Sequence, residues 1–340
     1  MLKKNAVIFG GSGFIGMFYA NYLIEENQFN KVFILDIEAP QDKEFKYRNK
    51  QYTSNENIIF VHCDVRKKIS WKTNDEISLI ANFAAVHREP GHKDYEYYET
   101  NINGAQNVCD WAEKHNCHNI IFSSSISPYG TEDIQKNEES LPVPVTAYGG
   151  SKLVSEKIHL AWLNKNVEER RLIIVRPGVV FGPGEGGNVS RLIKAVKGRY
   201  FIYMGNRKVR KAGVYVKELC NAMSWSLIEL ERKKNRFILF NMTMNPGPSI
   251  EEYVESIAKI LNIKTFIPHI PFKLLLFISY IIDLFLRLFQ INHPFSPVRI
   301  NKLVKSNDIL PKYLLDNNYN YIYTLDEALI DWMKDCPEEW

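Results

Sequence analysis

The chain of 340 residues carries no block of like charge longer than a few residues, no low-complexity tract and no internal repeat. Those absences exclude a nucleic-acid stripe, a disordered tail and a solenoid or propeller. Cysteine is sparse: Cys63, Cys109, Cys117, Cys220 and Cys336 are odd in number, with neither a CxxC nor paired metal spacing. A disulfide framework and a cysteine-held metal are therefore not expected. The amino terminus does not read as a signal peptide, so a reducing cytoplasm is the expected setting. Long apolar runs are also missing. "IPFKLLLFISYIIDLFLRLFQI", from Ile270 to Ile291, has the length of a membrane span, but Lys273, Asp283 and Arg287 interrupt it. No run approaches the roughly 18 apolar residues that a span needs. The stretch reads as a helix packed on its own domain or a partner, with contact to a membrane surface as the alternative.

What is present is globular. With 45% hydrophobic and 24% charged residues and a net charge of +4, the chain can bury a sizeable core. In the first half, short β-branched runs alternate with helical patterns: "NAVIFG", a helix from about Phe14, "KVFILD", "NIIFVHCD", "SLIANFAA", "NINGAQNVCDWAEKH", "NIIFSSS". Strands apolar on both faces, separated by helices, predict an α/β fold with a doubly wound, Rossmann-type parallel sheet. Past about residue 184 the alternation weakens, helices dominate, and Pro246, Pro248, Pro268, Pro271, Pro294 and Pro297 mark breaks. The expected division is a first domain over 1–183 and a smaller, mostly helical substrate domain over 184–340, with some chain crossing back.

"VIFGGSGFIG" puts Gly10, Gly13 and Gly16 at the first strand-to-helix turn. Glycine lets backbone approach a pyrophosphate, whose charge the free N–H groups of the following helix stabilise. A glycine-rich turn with no ligand has the same local spelling. Asp36, which ends the second strand 20 residues after Gly16, tips the reading: its carboxylate suits ribose hydroxyls and repels a 2′-phosphate, favouring NAD over NADP. Asp64, at the end of the third strand, is placed to reach the adenine amino group.

Tyr148 and Lys152 stand four residues apart in the helix-like "TAYGGSKLVSEKIHLAWL", so both leave from one face. A phenol is a poor base at neutral pH unless cations favour its ionised form, and a lysine ammonium and an oxidised nicotinamide would both do so. The strand "NIIFSSS" ends in hydroxyls at the sheet edge where sites of such folds gather, and Ser125 is placed to bond the reacting oxygen.

Taken together, these motifs resemble the extended short-chain dehydrogenase/reductase family, above all its nucleotide-sugar epimerase/dehydratase group. "FSSSISPYG" is similar to the family's serine-strand motif, with Ser125 at the catalytic serine. "AYGGSK" carries its YxxxK, and "VRPGVVFGPG" resembles its RPxxxxGP segment. The resemblance implies catalysis by Ser125, Tyr148 and Lys152. It implies NAD contacts from Gly10, Gly13, Phe14, Ile15, Gly16, Asp36, Asp64, Val65, Phe83, Ala84, Ala85, Asn101, Tyr148, Lys152 and Pro177, and a homodimer built on the two long helices. Where dehydratases of the group carry Thr-Asp-Glu, this chain has Ser125, Ile126 and Ser127, which disfavours elimination of water.

The expected activity is epimerisation of a nucleotide sugar at carbon 4 through a transient 4-keto sugar, in making cell-surface polysaccharide such as O-antigen or capsule. A nucleotide-4-ketosugar reductase or 3β-hydroxysteroid-type dehydrogenase is the alternative, and a non-catalytic NAD-sensing scaffold is the alternative from another class. The expected substrate partners are His87, Ser125, Asn188, Arg191, Arg210, Lys211 and Arg299, with arginines suited to a diphosphate by their rigid fork of donors. "VHREPGH", Val86 to His92, reads as a substrate-facing loop, and no metal is expected there because no further carboxylate–histidine cluster completes a coordination set.

Overall fold

A computed structural model describes residues 4–40, 46–89, 91–130, 134–263, 267–274, 276, 277, 280 and 307–340. Most of the apolar stretch from Ile270 to Ile291, and Arg299, lie outside the described residues.

The alternating pattern builds one parallel sheet. Its strands are β1 (Asn5–Phe9), β2 (Lys31–Asp36), β3 (Ile58–His62), β4 (Ile77–Asn82), β5 (Asn119–Ser123), β6 (Arg171–Pro177) and, after the shorter β7 (Val179–Phe181), β8 (Tyr203–Met204) and β9 (Gly213–Tyr215), β10 (Phe237–Met242). The order across the sheet is β10-β6-β5-β4-β1-β2-β3. Strand order reverses between β1 and β4, which opens a crevice at their carboxyl ends where ligands of such sheets bind.

The inner strands are buried on both faces because their residues feed two cores in alternation. Ala6 and Ile8 enter one cluster, with Tyr19, Leu23, Met223 and Phe240; Val7 and Phe9 enter the other, with Trp111, Phe122 and Trp162. The second cluster is roofed by α3 (Asp94–Lys114) and α4 (Ala147–Asn164), which pack closely on each other. The first cluster is covered by α1 (Phe14–Glu25) and α6 (Val216–Lys233). Burial of these aliphatic and aromatic side chains, at about 25 cal/mol per Å² of apolar surface, is the main force holding the layers.

The second half of the chain does not stay apart. Its strand β10 completes the sheet beside β6, from Phe237↔Leu172 to Met242↔Pro177. Of the remaining helices, α2 (Lys46–Thr53) packs on α1, α8 (Lys312–Asp316) on β10, and α5 (Asn188–Lys197) and α9 (Leu325–Asp335) on α7 (Ile250–Ile260), while the short strand β11 (His269–Ile270) pairs with β8. Residues 307–313 act as a strap: Leu310 N–H donates to the Lys136 carbonyl at 2.8 Å, and the Glu138 carboxylate accepts from the backbone of Asn241, Lys312 and Tyr313 at 2.8 to 3.2 Å. The strap thereby fixes the loop that leads from β5 into α4.

Candidate active site

At the carboxyl end of β1 the chain turns into α1 through Gly10, Gly11, Ser12 and Gly13. Gly10 has φ +75°, and a Cβ there would lie 2.6 Å from the Ala84 nitrogen; at Gly16 a Cβ would lie 2.5 Å from the Gly10 carbonyl. The turn thus needs glycine for its own closure, with Phe83 and Ala84 forming its opposite wall. Asp36 closes the far side, its two oxygens accepting from the Ser12 and Ile37 N–H groups at 3.1 and 2.8 Å. An N–H-lined cradle at a helix start, with a carboxylate one strand away, fits a dinucleotide: Gly10 to Gly16 would hold the pyrophosphate and Asp36 the ribose hydroxyls. Phe14 and Ile15 open the helix, and Val65 packs against Gly104 of α3.

Two expected cofactor contacts are engaged within the protein. The Asp64 carboxylate accepts from the Arg66 side chain at 2.9 and 2.8 Å, and this pairing holds it below its ordinary range. The Asn101 amide, buried in α3, accepts from Val86 N–H at 2.8 Å and donates to the Val86 carbonyl and, at 2.8 Å, to the Ser151 hydroxyl. Asn101 therefore ties the end of β4 to the helix that bears Tyr148.

That helix, α4, begins where Thr146 accepts the Gly149 N–H at 3.1 Å. Tyr148 lies in its first turn, walled by Tyr97 at 6.1 Å between ring centroids. Lys152 is buried one turn on, its ammonium 4.5 Å from the centre of the Phe122 ring. Ser125, just past β5, has its hydroxyl held by the Ser127 N–H at 3.1 Å. Burial pushes the Tyr148 phenol up to about 12, the Ser125 hydroxyl opposing, while Glu89 and Tyr97 add to the rise. Burial pushes Lys152 down to about 7, with Glu156 pulling the other way. Left to itself, then, the pocket holds both groups toward their neutral forms, and the expected phenolate needs a further positive charge beside it.

Beneath this pair lies a polar network that spacing alone did not single out. Glu156, one turn beyond Lys152 and 2% exposed, accepts from Arg176 at 2.8 and 2.6 Å and from the Ser124 hydroxyl at 2.5 Å. Arg176 also donates to the Tyr129 hydroxyl at 2.8 Å, which donates to Asn241 at 2.9 Å. Tyr129, the tyrosine of the serine motif, thus has a structural task. For Glu156 the one signal in the sequence is its i, i+4 spacing from Lys152. Gly11 and Ser12 were likewise missed, though Gly11 abuts Ile34 so closely that a Cβ would lie 2.6 Å from that side chain. Arg48 is buried and donates to the Gly184 carbonyl at 3.0 Å.

The expected substrate residues divide. His87 sits in the loop after β4 with its ring bonded to the Ala85 carbonyl; the surrounding wall lowers its basicity, and the Arg88 and Lys152 charges add to that, although its outer edge meets solvent. Tyr97 secures that loop by donating to the Arg88 carbonyl. Asn188 opens α5 and accepts from Arg191 at 2.7 Å, both exposed. Arg210 turns toward α7, donating to the Gly247 carbonyl and lying 3.8 Å from Glu252. Lys211, next along an extended segment, leaves on the opposite side and is bridged by its backbone to Asn307. Pro177 ends β6, its carbonyl accepting from Ile126 at 3.2 Å. Among the described residues, no three histidine, cysteine or acidic side chains cluster as a metal site.

The NAD dependent epimerase/dehydratase family matches residues 6–241. The chain belongs to that family. It is an NAD-dependent enzyme of the extended short-chain dehydrogenase/reductase type. Over 329 residues it is 26% identical to the N-acetyl-alpha-D-glucosaminyl-diphospho-ditrans,octacis-undecaprenol 4-epimerase of Escherichia coli O157:H7, covering 96% of this chain and 94% of that one. It is also 26% identical to the UDP-glucose 4-epimerase of Bacillus subtilis (strain 168), over 60% of this chain and 61% of that one. The fold matches the UDP-glucuronic acid 4-epimerase of Bacillus cereus in complex with NAD, with TM-score 0.73 at 19% identity over 97% and 98% of the two chains. Similar in fold is the UDP-Glc/GlcNAc 4-epimerase of Campylobacter jejuni, with TM-score 0.72 at 18% identity over 98% and 100%. Among the described residues, no helix is long and apolar enough to cross a membrane.

Proposed function

We propose that the enzyme inverts carbon 4 of a sugar diphosphate, with Tyr148 as acid/base and Ser125 and Lys152 as its partners. One observation carries this reading: Tyr148 meets the Ser125 hydroxyl at the crevice mouth while Lys152 is buried one turn behind it. The bound dinucleotide supplies the hydride acceptor and donor at one carbon. Ser125 and Tyr148 hold the sugar oxygen, Tyr148 takes its proton as carbon 4 is oxidised, and Tyr148 returns it once the 4-keto sugar has presented its other face. Lys152 favours the ionised phenol when it carries its proton. The residues after Ser125 argue against dehydration, since Ile126 is apolar and Ser127 is bonded to Ser125.

The diphosphate is assigned to Lys211, Arg191 and Asn188, with Arg299 as the expected fourth contact and His87 at the sugar. Two carriers for that diphosphate are supported. A nucleoside follows from the family resemblance. A polyprenyl chain is favoured by the near full-length likeness to the undecaprenol-linked 4-epimerase and by the apolar sequence from Ile270 to Ile291. Two copies are proposed to pair through the outer faces of α3 and α4, where Tyr95, Tyr98 and Val154 are exposed.

The test is incubation with UDP-linked and undecaprenyl-linked N-acetylglucosamine, the products resolved by NMR. Interconversion of the two C4 epimers with no net change in NADH supports the proposal. Stoichiometric consumption of added NADH would replace it with a reductase.

A further inference from the structure

A patch of apolar and aromatic side chains stands exposed on the substrate half, away from the sheet. In β8 and the residues before it, Tyr203 points inward against Phe201, at 5.3 Å between ring centroids, so the alternation of an extended chain turns Ile202 and Met204 outward. Tyr200, just before them, is 66% exposed. Parallel pairing of β8 with β11, Met204 opposite Ile270, brings the following helical residues alongside. There Leu274, Phe277 and Tyr280 recur every third residue, all exposed, Phe277 by 62%. Isolated exposed apolar residues need no explanation, but six that converge on one small sheet and its adjoining turn do.

Charge identifies what this patch meets. Between Asn188 and Lys217 the chain carries Arg191, Lys194, Lys197, Arg199, Arg207, Lys208, Arg210, Lys211 and Lys217 and not one aspartate or glutamate. Three of the nine meet carboxylates, Arg207 at Glu251, Arg210 at Glu252 and Lys217 at Asp331 and Asp335, so the positive charge offered beside the patch comes from Arg199, Lys208 and Lys273. Arg199 adjoins Tyr200, Lys273 adjoins Leu274, and Lys208 follows Met204; all three are exposed. Aromatic rings that bridge apolar and wet regions, flanked by long cationic side chains, are the composition that settles at the headgroup level of an anionic bilayer. The sequence runs on from this point into the apolar stretch that ends at Ile291.

We infer that Tyr200, Ile202, Met204, Leu274, Phe277 and Tyr280 form a docking face for an anionic lipid bilayer. The inference rests on the lipid-linked form of the proposed substrate. Arg191 and Lys211, assigned to the diphosphate, belong to the same basic stretch, so a diphosphate presented at the headgroup level reaches the site without the enzyme crossing the bilayer.

The test is flotation of the full-length protein with vesicles of phosphatidylglycerol and phosphatidylcholine, against phosphatidylcholine alone, at low and high salt. Binding is expected to the anionic vesicles, to weaken as salt screens the charges, and to fall about tenfold or more in Tyr200→Asp/Phe277→Asp. Both positions are exposed and outside the catalytic set, so turnover of UDP-linked N-acetylglucosamine should be unchanged in that variant. No binding by the unaltered protein, or equal binding by the variant, overturns the inference. A loss of self-association in the variant, with no vesicle binding by either protein, also overturns it and makes the face a protein interface. Epimerisation without vesicle binding removes the docking face and leaves the proposed reaction standing; vesicle binding without epimerisation does the reverse.

Discussion

Arg176 and Glu156 form a bidentate ion pair beneath the catalytic residues, with contacts of 2.8 and 2.6 Å and both side chains under 5% exposed. The pair joins β6 to α4 and, through Ser124, to the end of β5 that leads into Ser125. A buried pair of this kind contributes little net stability when whole, but breaking it leaves an uncompensated charge. Glu156→Gln should therefore destabilise the protein by about 3 to 5 kcal/mol, and Glu156→Leu with Arg176→Met should restore much of that loss. Urea unfolding of the three proteins measures it; a single variant as stable as the parent would show that the pair is dispensable.

Tyr148→Phe removes the phenolic proton carrier and leaves the ring. Turnover should fall about 10²- to 10⁴-fold, the range for loss of a general acid/base, while NAD binding measured by fluorescence titration stays nearly intact. Near-normal turnover would remove Tyr148 from the mechanism.

Gly10→Ala places a Cβ against the Ala84 nitrogen in a backbone conformation, φ +75°, that side chains rarely adopt. The strain alone is about 1 to 3 kcal/mol, and relieving the clash must move the wall of the pyrophosphate cradle. Thermal unfolding should show the loss, and NAD affinity should fall with it. An unchanged affinity would place the pyrophosphate elsewhere.

His159 is wholly buried in α4, its Nδ1–H donating to the Ser155 carbonyl at 2.8 Å and its Nε2 meeting the Asn82 amide at 3.3 Å, with Phe122 stacked on it. Burial lowers its pKa from 6.5 to about 4. The unfolded chain therefore takes up this proton first. Stability is intact above pH 6.5, declines as pH falls toward 4, and changes no further below that, a loss of about 3 kcal/mol in all. His159→Gln should flatten this part of the stability profile in urea titrations between pH 7 and 4. An unchanged slope would show that the imidazole takes up its proton without cost.

The parallel sheet was legible because strands buried on both faces spell continuous apolar runs, and the catalytic set because Tyr148 and Lys152 share a helix face while Ser125 directly follows a strand. Contacts made across long stretches of chain were not. Glu138 is bonded by Asn241, Lys312 and Tyr313, and Arg48 by Gly184, so no local pattern announces either. The direction of Arg210, toward Glu252 rather than alongside Lys211, is set by an extended segment whose pairing the sequence does not display. Burial set a starting point that spacing does not display: the surroundings of Tyr148 raise its pKa, because desolvation of a phenol outweighs the help it receives from Ser125.

The central claim is that one carbon loses and regains its own hydride within a single active site. It is tested most directly with N-acetylglucosaminyl diphosphate, UDP-linked or undecaprenyl-linked, deuterated at carbon 4 of the sugar and incubated in ordinary water with excess free NAD. We expect the inverted product to keep the deuterium at carbon 4, with none appearing in the free nucleotide pool. Product that has lost its deuterium, or label recovered in free NADH, would contradict it.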